Sequence, residues 1–174
     1  KPTIVISPAA SKDERNWLSE RYAEFADYAV GKGYQVVLCG SSAAREQTLS
    51  ARIIAAANVP VINLVGQTSL KQLAAVLARA DAVLAPDSGP AHMATTQGTP
   101  VLGLYGHSNP KRTGPYNNLA DVVSVYETFA EQQHGKPIEQ LAWSTRVKGD
   151  HVMAAIDTQQ VIDAFENMMA KHSF

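Results

Sequence analysis

A three-layer α/β domain with a mostly parallel sheet of about six strands is predicted from three observations. Short β-rich runs alternate with helical patterns along most of the chain, and capping or turn residues stand at nearly every boundary. The 174 residues, 45% hydrophobic and 18% charged, also suffice to bury one sizeable core.

Strands are expected over residues 3–6, 35–39, 61–64, 82–85, 101–105 and 121–125. Between the first two, Ser11 and Glu14 have capping-box spacing and predict a helix start. Leu18, Tyr22, Phe25, Ala26 and Ala29 follow at helical spacing, and Gly31 and Gly33 stop it. A second helix over 43–57 ends before Pro60. The third is capped by Ser69, with Leu70, Leu73, Ala74, Leu77 and Ala80 as its apolar stripe. The fourth begins at Pro90 and is stopped by Gly98-Thr99-Pro100. Residues 126–149 lack a clean period and read as an irregular, partly helical insertion. Asp157 or Thr158 then caps a last helix carrying Val161, Ile162, Phe165 and Met169, which ends near Lys171. The order of these elements is that of a single Rossmann-like domain spanning 1–174.

Composition narrows the function classes. A formal net charge of -1 and the lack of a long Lys/Arg cluster argue against a nucleic-acid or polybasic membrane grip. The single cysteine, Cys39, rules out an internal disulfide framework and fits a cytoplasmic protein. No apolar stretch has the length of a membrane span, and the strand-like start without an initiator Met reads as a piece of something longer.

Chemistry concentrates at Asp87-Ser88-Gly89-Pro90-Ala91-His92, which follows an apolar strand and opens a helix. Gly89 permits a tight turn and close backbone approach, Ser88 caps the helix and Pro90 suits its first position. Unpaired N–H groups would then face a phosphate, with His92 in the first turn within reach of it. Hydroxyl- and glycine-rich breaks after the other strands, Ser7 to Ser11, Gly40-Ser41-Ser42 and Gly66-Gln67-Thr68-Ser69, share the same carboxyl edge, where ligands bind in open parallel sheets. Neither G-x-x-x-x-G-K-S/T, nor G-x-G-x-x-G, nor G-x-S-x-G is present.

Each candidate also has a plainer role. Asp87 would be repelled by a phosphate and suits loop bracing equally; His92 suits a buried packing position; Lys12 and Arg15 suit a solvated face. An arginine beside a pyrophosphate would instead stabilise a departing diphosphate through its bidentate fork. Lys111 and Arg112, in a turn-rich loop, are read as facing water. The histidines show no paired metal spacing, and no metal site is assigned.

Asp87-Ser88-Gly89-Pro90-Ala91-His92-Met93-Ala94, followed by Gly98-Thr99-Pro100-Val101 and Leu104-Tyr105-Gly106, resembles the bacterial ADP-heptose:lipopolysaccharide heptosyltransferases, glycosyltransferase family 9. Arg15-Asn16-Trp17, Cys39-Gly40, Gly66-Gln67-Thr68-Ser69-Leu70, Gly114-Pro115-Tyr116 and Met153-Ala154-Ala155-Ile156 fall in the expected order, so the resemblance spans nearly the whole chain. It implies the C-terminal, nucleotide-sugar-binding half of a two-domain GT-B enzyme, with the acceptor site and catalytic base in an N-terminal half absent from this chain. Ser11 and Arg15 are implied at the diphosphate and sugar, Thr68 and Glu46 near adenine and ribose, and Asp87, Ser88, Gly89 and His92 around diphosphate and heptose.

The implied reaction is metal-independent, inverting transfer from ADP-heptose, with Arg15 as the catalytic group, no further cofactor, and a lipid A–Kdo type acceptor. The implied location is the cytoplasm, with peripheral contact at the inner membrane, and the half alone is expected to bind without turnover. Two alternatives compete with it: a GT-B transferase using a UDP-sugar, and a nucleotide-binding module without chemistry.

Overall fold

The computed structural model describes residues 1–172. Among them, six strands form one sheet in the order β3-β2-β1-β4-β5-β6, with every neighbouring pair parallel. The strands are β1 (Thr3–Ile6), β2 (Gln35–Leu38), β3 (Ile62–Asn63), β4 (Ala82–Pro86), β5 (Val101–Tyr105) and β6 (Val123–Ser124). The helices are α1 (Ser19–Gly31), α2 (Ala44–Ala56), α3 (Leu70–Arg79), α4 (Gly89–Thr96), α5 (Pro110–Thr113), α6 (Tyr126–His134) and α7 (Thr158–His172). The predicted fold class is the observed one.

The period-2 alternation of strands builds the three layers. Ile4, Ile6, Val36, Leu38, Leu84, Leu102 and Leu104 face one side and pack on Tyr22, Phe25 and Ala26 of α1, Ile53 of α2, and Val161, Phe165 and Met168 of α7. Val5, Val37, Cys39, Val83, Ala85 and Val101 face the other, against Leu77 of α3 and Ala91 and Ala94 of α4.

The first helix does not start at Ser11. A short 3-10 turn (Asp13–Arg15) stands there without a side-chain cap, and α1 begins at Ser19. The interruption has a cause: Trp17 is 1% exposed, packs edge-on against Tyr22 and donates its Nε1–H to the Ile156 carbonyl at 2.9 Å. Holding Trp17 in that socket bends the chain, while Asn16 Oδ1 accepts the Ala10 N–H at 2.7 Å. Arg21 of α1 also donates to the Ile156 carbonyl, so the β1–α1 connection is tied to the entry of α7.

Three strands are shorter than predicted, β2 by one residue and β3 and β6 by more. Pro60 has no N–H to donate before β3, and Asn63 Oδ1 takes the Val65 N–H at 3.0 Å. Before β6, a 3-10 segment occupies Tyr116–Asp121. Leu70 leaves the predicted stripe of α3 and is 72% exposed. Ser69 caps α3 in a full capping box with Gln72, and Asp157 caps α7, accepting the Gln160 N–H at 2.7 Å. The 126–149 stretch is partly helical, as expected. Tyr126 and Ala130 of α6 form a small core with Val147 and Val152, and Gly135 closes α6 at φ 66°.

Among the described residues no helix is long and apolar enough to cross a membrane.

Candidate functional site at the sheet's carboxyl edge

The connections from β1 and β4 diverge, because β1 leads toward β2 and β3 while β4 leads toward β5 and β6. A parallel sheet opens a crevice at such a reversal, outside the carboxyl ends of its strands. Here it holds a cleft of about 580 Å³. Its walls include all eight residues singled out from the sequence: Ser11, Arg15, Glu46, Thr68, Asp87, Ser88, Gly89 and His92. They come from four connections that are far apart in the chain and meet at one edge.

Three helix N-termini open onto this cleft, those of α2, α3 and α4. Each of these N-termini directs the positive end of its macrodipole at the cleft. At α4 the supply of free donors is smaller than the sequence suggests. Pro90 has no N–H, and the Ser88 hydroxyl accepts that of Ala91 at 3.4 Å, so among the described residues the Gly89 amide is the unengaged one in this turn. Gly89 adopts no left-handed conformation, and a Cβ there would meet nothing within 4 Å. Its lack of a side chain keeps the mouth of the cleft open.

Asp87 braces the site. One carboxylate oxygen accepts the Ser108 hydroxyl at 3.1 Å and the other lies 3.4 Å from His92 Nε2. Asp87 therefore braces the loop from inside the cleft and orients the His92 ring. The His92 side chain is 49% exposed, which excludes a buried packing position.

Arg15 is half-buried, and its Nε is buried without a hydrogen-bond partner. Glu46 turns both oxygens to Ser41, accepting its amide at 3.2 Å and its hydroxyl, and so braces the loop after β2. Gly40 lies beneath it, and a Cβ there would stand 3.0 Å from Glu46 Oε1, so a side chain at this position would displace that carboxylate slightly. Thr68 stands beside the Ser69 cap.

Arg45 and Ser108 are not among the residues singled out from the sequence. Arg45 lines the cleft and donates to Asp13 Oδ1 at 2.8 Å and to the Ala10 carbonyl at 2.7 Å, clamping the loop that carries Ser11 and Arg15. Its position in the first turn of α2 was the available clue. His107 lies below, buried, with Nε2 donating to the Gly149 carbonyl at 2.6 Å and Nδ1 left without a partner. Lys111 turns toward Glu127 at 3.7 Å and lines another recess.

Burial pushes the Cys39 thiol up to about 11, so it stays protonated at neutral pH and is no nucleophile. The Tyr105 phenol is raised by burial and further by the charge of Asp87. Among the described residues no group of three or more His, Cys, Asp or Glu side chains converges to hold a metal ion.

A doubly wound parallel sheet with helices on both faces and a cleft at its switch point defines a Rossmann-type α/β domain. The family model for glycosyltransferase family 9 (heptosyltransferase) matches residues 1–142, and the chain belongs to that family. It is 47% identical over 168 residues to the lipopolysaccharide core heptosyltransferase OpsX of Haemophilus influenzae, covering 97% of this chain and 48% of that protein.

Two solved structures share the fold. The glycosyl transferase family 9 protein of Veillonella parvula matches with a TM-score of 0.78 and 27% identity over 98% of this chain and 47% of that one. The ADP-heptose lipopolysaccharide heptosyltransferase II of Escherichia coli matches with a TM-score of 0.76 and 27% identity, again over 98% and 47%. The chain thus spans about half the length of the relatives it matches.

Proposed function

We propose that this chain is the donor-binding half of a two-domain heptosyltransferase that takes ADP-heptose and works at the cytoplasmic face of the inner membrane. The observation that carries the reading is the meeting of Ser11, Arg15, Glu46, Thr68, Asp87, Ser88, Gly89 and His92 in one cleft onto which three helix N-termini open. The family membership and the E. coli relative, an ADP-heptose heptosyltransferase by name, support the choice of donor.

In this reading the diphosphate lies against the Gly89 amide and the Ser88 hydroxyl, with Arg15 across the cleft and His92 beside it. Adenosine extends toward Thr68 and Glu46. An acceptor hydroxyl attacks the anomeric carbon from the side opposite the diphosphate. The bond from that carbon to the diphosphate oxygen breaks, ADP leaves with the electron pair, and the acceptor's proton passes to a base outside this chain. The acceptor, of lipid A–Kdo type, is held mainly by that other half. What these residues contribute is preorganised charge: Arg15 and the helix dipoles stabilise the negative charge that grows on the departing oxygen.

Calorimetric titration with ADP and UDP, each with EDTA present, tests this reading. Saturable ADP binding that EDTA does not abolish and that weakens in His92→Ala is the expected result. Preference for UDP would assign the cleft to another class of sugar-nucleotide transferase, and binding of neither would overturn the donor assignment.

A further inference from the structure

Beside the donor cleft lies a second recess of about 460 Å³, lined by Lys12, Glu14, Arg15, Arg146, Val147 and Lys148. Four of these six are cations, gathered from segments more than a hundred residues apart in a chain whose formal net charge is -1. Among the described residues none of the four is in an ion pair, whereas Arg45, Lys111 and Lys171 each have a carboxylate partner. Neighbouring Asp13 is committed to Arg45, which leaves Glu14 as the carboxylate on the wall.

The backbone beneath the cations is fixed. Val147 N–H donates to the His107 carbonyl at 3.0 Å, and Lys148 exchanges two bonds with the Gln133 side chain at 2.9 and 2.7 Å. Val147 is buried while Arg146 and Lys148 on either side are exposed, so an anchored segment presents both cations to the recess. Packing accounts for Val147 and for none of the charges. An anion in the recess would lie within a Debye length, about 8 Å at physiological salt, of the cations on its walls. Arg15 lines both spaces, and its buried Nε has no partner.

We propose that this recess binds an anionic substituent, a carboxylate or phosphate, carried by the acceptor saccharide. The assignment rests on the transfer reading above, since an acceptor must approach the donor sugar and Arg15 stands between the two spaces. The donor half then holds one end of the acceptor itself and sets which hydroxyl faces the anomeric carbon.

Amide NMR spectra of the ¹⁵N-labelled chain saturated with ADP test it, with glucuronate, glucose 1-phosphate, inorganic phosphate and glucose as probes. The two sugar anions are expected to shift the amides of Lys12, Val147 and Lys148 in the millimolar range, more weakly as salt rises, while glucose leaves them in place. The double variant Arg146→Glu/Lys148→Glu is expected to weaken this by roughly tenfold, with ADP affinity held within about twofold. Arg146→Gln/Lys148→Gln gives the same direction without charge reversal and guards against a folding defect.

Equal shifts with glucose, or undiminished binding in both double variants, would overturn the site; inorganic phosphate binding as well as glucose 1-phosphate would overturn the saccharide. If ADP does not bind but the sugar anions still titrate these amides, the donor reading fails and the anion recess stands. ADP binding without such shifts refutes the recess alone.

Discussion

Replacing Arg15 with alanine is expected to weaken ADP binding by roughly ten- to a hundredfold while the fold keeps its thermal midpoint within a few degrees. The size follows from the loss of a charge-assisted hydrogen bond to phosphate, worth about 1.5–3 kcal/mol. Stability is spared because Arg15 makes no ion pair among the described residues and its buried Nε already lacks a partner. Arg15→Lys keeps the charge without the planar fork and is expected to recover part of the affinity. In an enzyme that also carries an acceptor-binding half, turnover should fall further than affinity, since charge on the leaving oxygen grows toward the transition state. Titration calorimetry and thermal melts of the two variants read both quantities; unchanged ADP affinity in Arg15→Ala would remove Arg15 from the site.

The largest effect on stability is expected from Trp17→Ala, at about 3–5 kcal/mol, the range for emptying a large aromatic socket. For a domain of this size the midpoint should drop by roughly 6–20 °C. The residue is 1% exposed, packs edge-on against Tyr22 and bonds to the Ile156 carbonyl, so it joins the β1–α1 connection to α7. Because that connection carries Ser11 and Arg15, ligand affinity should fall together with stability. Trp17→Phe retains most of the packing, and Arg21 still donates to the Ile156 carbonyl, so its loss should stay near 1 kcal/mol. A destabilisation of comparable size in both variants would mean that the indole hydrogen bond, and not the packing, holds the connection.

The fold was legible because its signals are local and repeat. Alternating strands, the Ser69 and Ser88 caps and the stop at Gly98 each announce themselves within a few residues, and the sheet's carboxyl edge collects the loops that follow. The start of the first helix was misread because Ser11 and Glu14 imitate a capping box, while the decisive contact, Trp17 with Ile156, spans 139 residues. Arg45 and Ser108 were missed for the same reason. Their partners, Ala10 and Asp13 for one and Asp87 for the other, are brought near only by the fold. The cationic pair at 146 and 148 hides in a stretch without periodicity, and its meaning depends on Lys12 and Arg15 across the recess. Gly89 shows the opposite limit: its type is informative in the sequence, while the open space it leaves at the mouth of the cleft is visible only in the fold.

The most direct measurement is a crystal structure of this chain with ADP bound. The diphosphate is expected against the Gly89 amide and Ser88 hydroxyl, with Arg15 Nε or its terminal nitrogens on a phosphate oxygen and the adenosine directed toward Thr68 and Glu46. ADP seated elsewhere on the surface, or a diphosphate remote from the start of α4 with Arg15 unengaged, would contradict it.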